Sequence, residues 1–331
     1  KDITASGGVI SLGLHLKMQP GWHTYWRNPG ESGEPTTIAW TLPQGFVASD
    51  IIWPYPERIP FGELANYGFS DEVTLRVELT VPKGLRIGES VTLKADVAWL
   101  VCKDICIPEK GTLDLTLPVV EVAKLFVFNF NEQRENPFKK VRAREPVKSD
   151  SFKARFAATA SDVTLYFEPT LSGMGLGSSA QFFPFTKGLL KASAPQTAET
   201  RAGGFAIAVP PGWRLRDAER RQSTETIDGV LVIPAIEGAA AQAYELTLRR
   251  GEVPAAATPR IAAADLPLAE AILFAILGGL ILNLMPCVFP ILSMKALALV
   301  QAGHTERPWT DGIAYLLGVL VTFAGLAGAL L

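Results

Sequence analysis

Cysteine is scarce in this chain, with three residues in 331, too few for a disulfide framework. That excludes a cysteine-stapled secreted scaffold and points to thiols with particular tasks. Neither sign of charge dominates: 31 Lys and Arg stand against 33 Asp and Glu, for a formal charge of −2. A nucleic-acid binder, which needs a strong basic footprint, is therefore excluded. Low-complexity tracts and charged tails are missing, apart from a short Ala/Pro stretch. The glycine-rich "SGMGLGSS" (Ser172 to Ser179) lacks the Gly-Lys-Ser/Thr ending of a phosphate loop and reads as an ordinary loop.

What is there divides into parts. Residues 1–120 carry short alternating runs split by Pro and Gly. Among them, "VTLRVELTV" (Val73 to Val81) and "VTLKADVAWLV" (Val91 to Val101) have the period of two expected of half-buried strands. Several such strands with regular turns predict a two-sheet β-sandwich. Residues 121–147 read as a connector. A second β-rich block, 148–250, has no Cys or His and reads as another sandwich-like domain with a spacing or docking role. Residues 251–267 form an Ala/Pro linker.

The apolar material is concentrated after that linker. Leu268 to Met294 is about 27 residues of almost unbroken apolar sequence, above the roughly 20 that span a bilayer. The expectation is a first membrane helix over 268–303 and a second over 309–331, ending inside the span as in a fragment of a longer protein. Asp265 and Glu270 precede the first span, and Lys295, His304 and Arg307 follow it. That asymmetry puts the hairpin loop in the cytoplasm and the β blocks outside, where disulfide chemistry is allowed.

Two sites draw the thiols. In "LVCKDICIPEKG", Cys102 and Cys106 flank only Lys103, Asp104 and Ile105. A three-residue loop between antiparallel strands brings two Cα atoms within disulfide range. So small a ring constrains little of the unfolded chain, which suits exchange better than stapling. Lys103 favours a thiolate by its charge. A structural disulfide and a soft-metal thiolate pair stand as alternatives, although no neighbouring His or Met completes a metal site. In "LMPCVFPILSMK", Pro286 and Pro290 open the helix around Cys287. Such a break survives in lipid only where protein or a water-lined cavity satisfies the freed carbonyls; an incidental cysteine in a proline-kinked helix is the other reading. His15 and His23 read as ordinary residues of the β domain.

Taken together, the motifs resemble a known family. "NLMPCVFPILSMKAL", "GWHTYWRNPGESGEPTTIAW", "WPYPERIPFGELANYGFSDEVTL" and "AWLVCKDICIPEKGTLDLTLP" are similar to the transmembrane disulfide reductases of the DsbD type. With "FFPFTKGLLKASAPQ" in the second block, the chain looks closest to their ScsB branch, associated with copper tolerance. The resemblance implies two immunoglobulin-like β-sandwich domains followed by two transmembrane α-helices, a mainly β chain. It also implies a protein-disulfide reductase of the bacterial inner membrane, its N-terminal domains periplasmic. Electrons would pass from cytoplasmic thioredoxin through a membrane cysteine pair to a thioredoxin-like domain of the same full-length protein. From there they reach the N-terminal pair and periplasmic disulfide-containing clients. On this sequence Cys102 and Cys106 match the N-terminal pair, with Cys106 the attacking thiol, and Cys287 matches the first membrane cysteine, its partner expected beyond Leu331. Lys103, Asp104, Pro286 and Pro290 are auxiliary. An aromatic cap loop maps to Arg58 to Phe69, with Phe61 as lid and Tyr67 or Phe69 as alternatives; any of these rings could instead fill the core. No cofactor beyond the cysteines and no metal is implied. The competing reading is a non-catalytic periplasmic copper-binding or partner-docking module whose Cys pair is a ligand or a staple.

Overall fold

The computed structural model describes residues 3–121, 138–170, 179–234 and 241–256, with a few helical positions between 273 and 321. Residues 1–258 form one compact unit and residues 259–331 another. In the first unit ten strands come in quick succession: β1 (Ile3–Thr4), β2 (Gly8–Lys17), β3 (His23–Gly30), β4 (Thr37–Thr41), β5 (Val47–Ala48), β6 (Glu57–Phe61), β7 (Leu64–Ser70), β8 (Glu72–Val81), β9 (Ser90–Cys102) and β10 (Cys106–Val120). Eight more follow the short helix Lys139–Arg142: β11 (Val147–Lys148), β12 (Phe152–Ala158), β13 (Val163–Pro169), β14 (Gln181–Pro184), β15 (Ala198–Arg201), β16 (Gly204–Val209), β17 (Thr226–Ile233) and β18 (Gln242–Arg250).

The first ten strands make a seven-stranded sheet, β1-β10-β9-β3-β7-β6 with β4 also on β9, and a three-stranded sheet, β2-β8-β5. Leu12 of β2, Leu79 and Val81 of β8, Leu93 of β9 and Leu117 of β10 meet in one buried cluster between these sheets. Alternation creates it, because every second residue of a strand faces the same side. The last eight strands instead lie in one eight-stranded sheet, β14-β17-β18-β12-β13-β16-β15, with β11 on β18.

This corrects the expected fold class. The chain is mainly β, but its sheets, one of them curled into a half-barrel, do not form two immunoglobulin-like sandwiches. Among the described residues, the eight-stranded sheet has no second sheet of its own to pack against. One face is closed by its own loops: Leu189, Leu190 and Ala194, with Leu215 of the short helix Trp213–Arg216, join Phe182, Leu231 and Ile207 in a buried cluster. The other face meets the first block, where Phe183 and Val230 join Trp26, Tyr67 and Phe69. The adjacent rings Phe182 and Phe183 thus bury on opposite faces, and "GVLVI" of β17 is continuously apolar because both of its faces are covered.

The second correction concerns the membrane. Among the described residues no helix is long and apolar enough to cross a bilayer. The expected spans, with Pro286, Cys287 and Pro290, otherwise lie outside the described residues, which in that region are only scattered helical positions such as Leu273, Phe274 and Ile313.

The two blocks are joined by polar contacts as well as rings. Asn28 Nδ2 donates to Pro184 O at 2.6 Å, and Arg58 Nε donates to Ala192 O at 2.7 Å. Phe183 lies edge-on to Tyr67 at 5.1 Å and to Trp26 at 6.3 Å. Truncating a buried Phe leaves an unfilled cavity, so Phe183→Ala should cost about 3–5 kcal/mol. Urea unfolding followed by tryptophan fluorescence should show both blocks melting together at a lower midpoint; an unchanged midpoint would contradict this packing.

Candidate functional site

β9 and β10 form a long antiparallel hairpin, paired without interruption from Ser90↔Pro118 to Cys102↔Cys106. Lys103, Asp104 and Ile105 close it, with Lys103 N–H donating to Ile105 O at 3.1 Å. The register sets the two cysteines directly opposite each other, and they form a disulfide with Cα atoms 4.1 Å apart. Lys103 and Asp104 are exposed on the loop beside it. The two sulfurs are not equivalent: Cys102 is completely buried, whereas Cys106 is exposed.

The burial of Cys102 comes from β3, which pairs with β9 on the side away from β10 and sets His23 opposite Cys102. Tyr25 is two residues further along and so shares that face. Its hydroxyl donates to Cys102 Sγ at 2.8 Å and lies 3.6 Å from Cys106 Sγ. On the other side of β3, the ladder with β7 shifts register between Tyr25 and Gly30. This irregularity brings Asn66 beneath the site, its Nδ2 3.5 Å from Tyr25 Oη and 3.4 Å from His23 Nε2. Asn66 Oδ1 accepts from Ser32 Oγ at 2.7 Å and from Ser32 N–H at 3.3 Å. Gly33, at φ +85, lets this loop lie against the Tyr25 ring, since a Cβ there would come within 2.1 Å of it. Gly68 does the same for β7, where a Cβ would meet Thr24 O at 2.1 Å.

Of the three aromatic cap candidates, the structure brings one to the site. Phe61 ends β6 at a tight turn, opposite Leu64, with its ring 6.2 Å from that of His23. Tyr67 and Phe69 are each 1% exposed and pack in the core shared with Trp26 and Phe183. Burial pushes the Tyr67 hydroxyl well above its usual range. His15 lies on the exposed face of β2, its Nδ1 2.9 Å from Thr74 Oγ1. No group of three or more His, Cys, Asp or Glu able to hold a metal exists among the described residues. Cys287, Pro286 and Pro290 lie outside them.

Sequence reasoning passed over Tyr25, Asn66 and Ser32, and it read His23 as an ordinary β residue. The one available signal was the alternation in "HTYW", which puts His23 and Tyr25 on one face. Which face that was depended on pairings 77 and 41 residues apart.

Burial shapes the titration here. Desolvation raises Tyr25 above the usual tyrosine range, the nearby Ser32 hydroxyl offsetting part of it. Desolvation lowers His23 below its ordinary 6.5 and keeps the imidazole neutral. A histidine with a depressed folded value binds fewer protons than its unfolded counterpart, so its contribution is intact above 6.5 and is lost as the pH falls below that value. Denaturant unfolding at stepped pH should therefore show stability dropping below about pH 6.5. His23→Gln should flatten that part of the profile; an identical slope in the variant would refute the assignment.

Residues 1–118 match the family described as "Thiol:disulfide interchange protein DsbD, N-terminal". Among solved structures, the N-terminal periplasmic domain of ScsB from Proteus mirabilis is 18% identical, with 74% of this chain and 89% of that one covered and a TM-score of 0.48. The YadV chaperone is 11% identical over 72% of this chain and 91% of that one, at a TM-score of 0.17. Zebrafish RET cadherin-like domains 1 to 4 are also 11% identical, over 76% and 48%, at 0.19. No curated protein matches the chain in sequence. With its cysteine pair at the tip of the β9–β10 hairpin, the N-terminal part of this chain belongs to the DsbD N-terminal domain family.

Proposed function

We propose that the Cys102–Cys106 pair is redox-active and that this domain is the delivery end of a protein-disulfide reductase in the periplasm. The observation that carries the reading is the unequal exposure of two bonded sulfurs, one buried and one open to solvent. A macromolecular thiol can reach Cys106, whereas Cys102 is shielded from all but Cys106 itself. In the reduced domain the Cys106 thiolate attacks a client disulfide and forms a mixed disulfide. Cys102 then attacks Cys106 Sγ and releases the client's second thiol. A dithiol restores the pair by the reverse sequence. Its source is a thioredoxin-like domain of the same full-length protein, supplied in turn by cytoplasmic thioredoxin. Phe61, beside His23 at the rim, serves as the lid that limits access to the sulfurs. No cofactor enters this chemistry, because the electrons travel as thiol pairs.

The reading is tested by the redox equilibrium of the pair in graded thiol/disulfide buffers, with free thiols trapped by alkylation. Reversible cycling between about −270 and −120 mV, the span of known exchange proteins, is the expected result. A pair still oxidised below about −300 mV would be a structural staple. A second readout follows from the division of labour. Cys102→Ala should accumulate mixed disulfides through Cys106, whereas Cys106→Ala should accumulate none.

A further inference from the structure

We propose that Tyr25 is a catalytic residue of the exchange, its hydroxyl proton aimed at Cys102 Sγ by Asn66 and Ser32 so that Cys102 departs as a stabilised thiolate. The inference rests on the pair being redox-active. It adds the group that stabilises the sulfur that leaves.

The direction of each hydrogen bond follows from what the partners can do. A backbone N–H only donates, so the Asn66 atom 3.3 Å from Ser32 N is the carbonyl oxygen. Ser32 Oγ, 2.7 Å from the same atom, also donates to it. The amide nitrogen of Asn66 therefore faces the site, with two N–H groups for two neighbours. One points to His23 Nε2, which accepts as neutral imidazole, and the other to Tyr25 Oη. Having accepted there, the tyrosine has one proton left to give. Cys102 Sγ is 2.8 Å away, against 3.6 Å for Cys106 Sγ. Tyr25 is thus the neutral donor turned toward the buried sulfur, with Asn66 and Ser32 behind it. Among the described residues, the one hydrogen bond to that sulfur comes from Tyr25.

The step balances without another reagent. An incoming thiolate forms a bond to Cys106 Sγ while the Cys106–Cys102 bond breaks and its electron pair goes to Cys102 Sγ. The attacking sulfur is oxidised and Cys102 is reduced. The proton of Tyr25 stays on oxygen and strengthens its hydrogen bond as charge develops on sulfur, a larger gain than in the neutral disulfide. Burial of the phenol, which disfavours its ionisation, holds the proton there.

The test is the rate at which dithiothreitol reduces the disulfide of the full chain, wild type against Tyr25→Phe. The variant keeps the ring and loses only the hydroxyl. A hydrogen bond to a charged partner corresponds to roughly ten- to hundredfold in rate, so Tyr25→Phe should be slower by about that factor. The thiolate absorbance of Cys102, measured with Cys106→Ala, should titrate at higher pH once the hydroxyl is gone. Asn66→Asp replaces a donor with an acceptor that captures the tyrosine proton. It should slow reduction similarly, and the double variant should be no slower than Tyr25→Phe alone. Equal rates in wild type and Tyr25→Phe, or an unmoved titration, would overturn the proposal. A wild-type disulfide that resists reduction would instead sink the redox reading itself.

Discussion

Strand β9 is the constraint on which the site depends, because its end is read by a partner on each side. β10 sets Cys106 against Cys102, and β3 sets His23 against the same residue. A strand shifted by one residue turns every side chain to the other face. A slip in β10 would part the sulfurs, and a slip in β3 would turn His23 and Tyr25 away from them. The long hairpin fixes the first register through many consecutive pairs. The second is shorter, held by His23↔Cys102, Thr24↔Val101 and the hydroxyl of Thr24 donating to Leu100 O at 2.9 Å.

The asymmetry of the sulfurs is then a matter of which strand has neighbours. Cys102 ends a strand flanked on both sides and is walled in. Cys106 begins β10, whose residues, apart from half-buried Gly111, stay exposed until Leu117, with β1 pairing only at its far end. A thiolate without partners in a buried place is costly. A neutral donor aimed at it, the Tyr25 hydroxyl backed by Asn66 and Ser32, lowers that cost. The cost is lowered only for the sulfur that faces the row, so polarity of reaction follows from polarity of placement.

How much of this was legible in the sequence follows from how local each feature is. The strands showed through their alternation, and the cysteine pairing through a three-residue loop that leaves hairpin geometry little choice. The candidate cap segment was mapped by resemblance, and its aromatic rings could not be sorted. Phe61 precedes the β6–β7 turn and reaches His23, whereas Tyr67 and Phe69 have the parity that faces the second block. Sheet membership was hidden for a related reason. Runs such as "GVLVI" are apolar on both faces, and periodicity does not say whether the second cover is another sheet, a loop or a neighbouring block. The row Ser32–Asn66–Tyr25–Cys102 joins positions far apart in sequence through a register shift that no composition signals.

The same parity explains what the second block does for the site. His23 and Tyr25 of β3 face the sulfurs, while Trp26 faces Phe183 and Phe185. Beyond the register shift, Asn28 is held by Pro184 O. Arg58 of β6 donates to the backbone of Ala192 and Ser193, and Glu31 takes bonds from Ala65 N–H and Ser193 Oγ. Strand β3, which carries His23 and Tyr25 on one face, is therefore gripped on the other by the second block. A donor row works only while each donor stays within a few tenths of an ångström of its acceptor. Rigidity supplied from behind lets Tyr25 keep its aim while the hairpin tip and Cys106 stay open to partners.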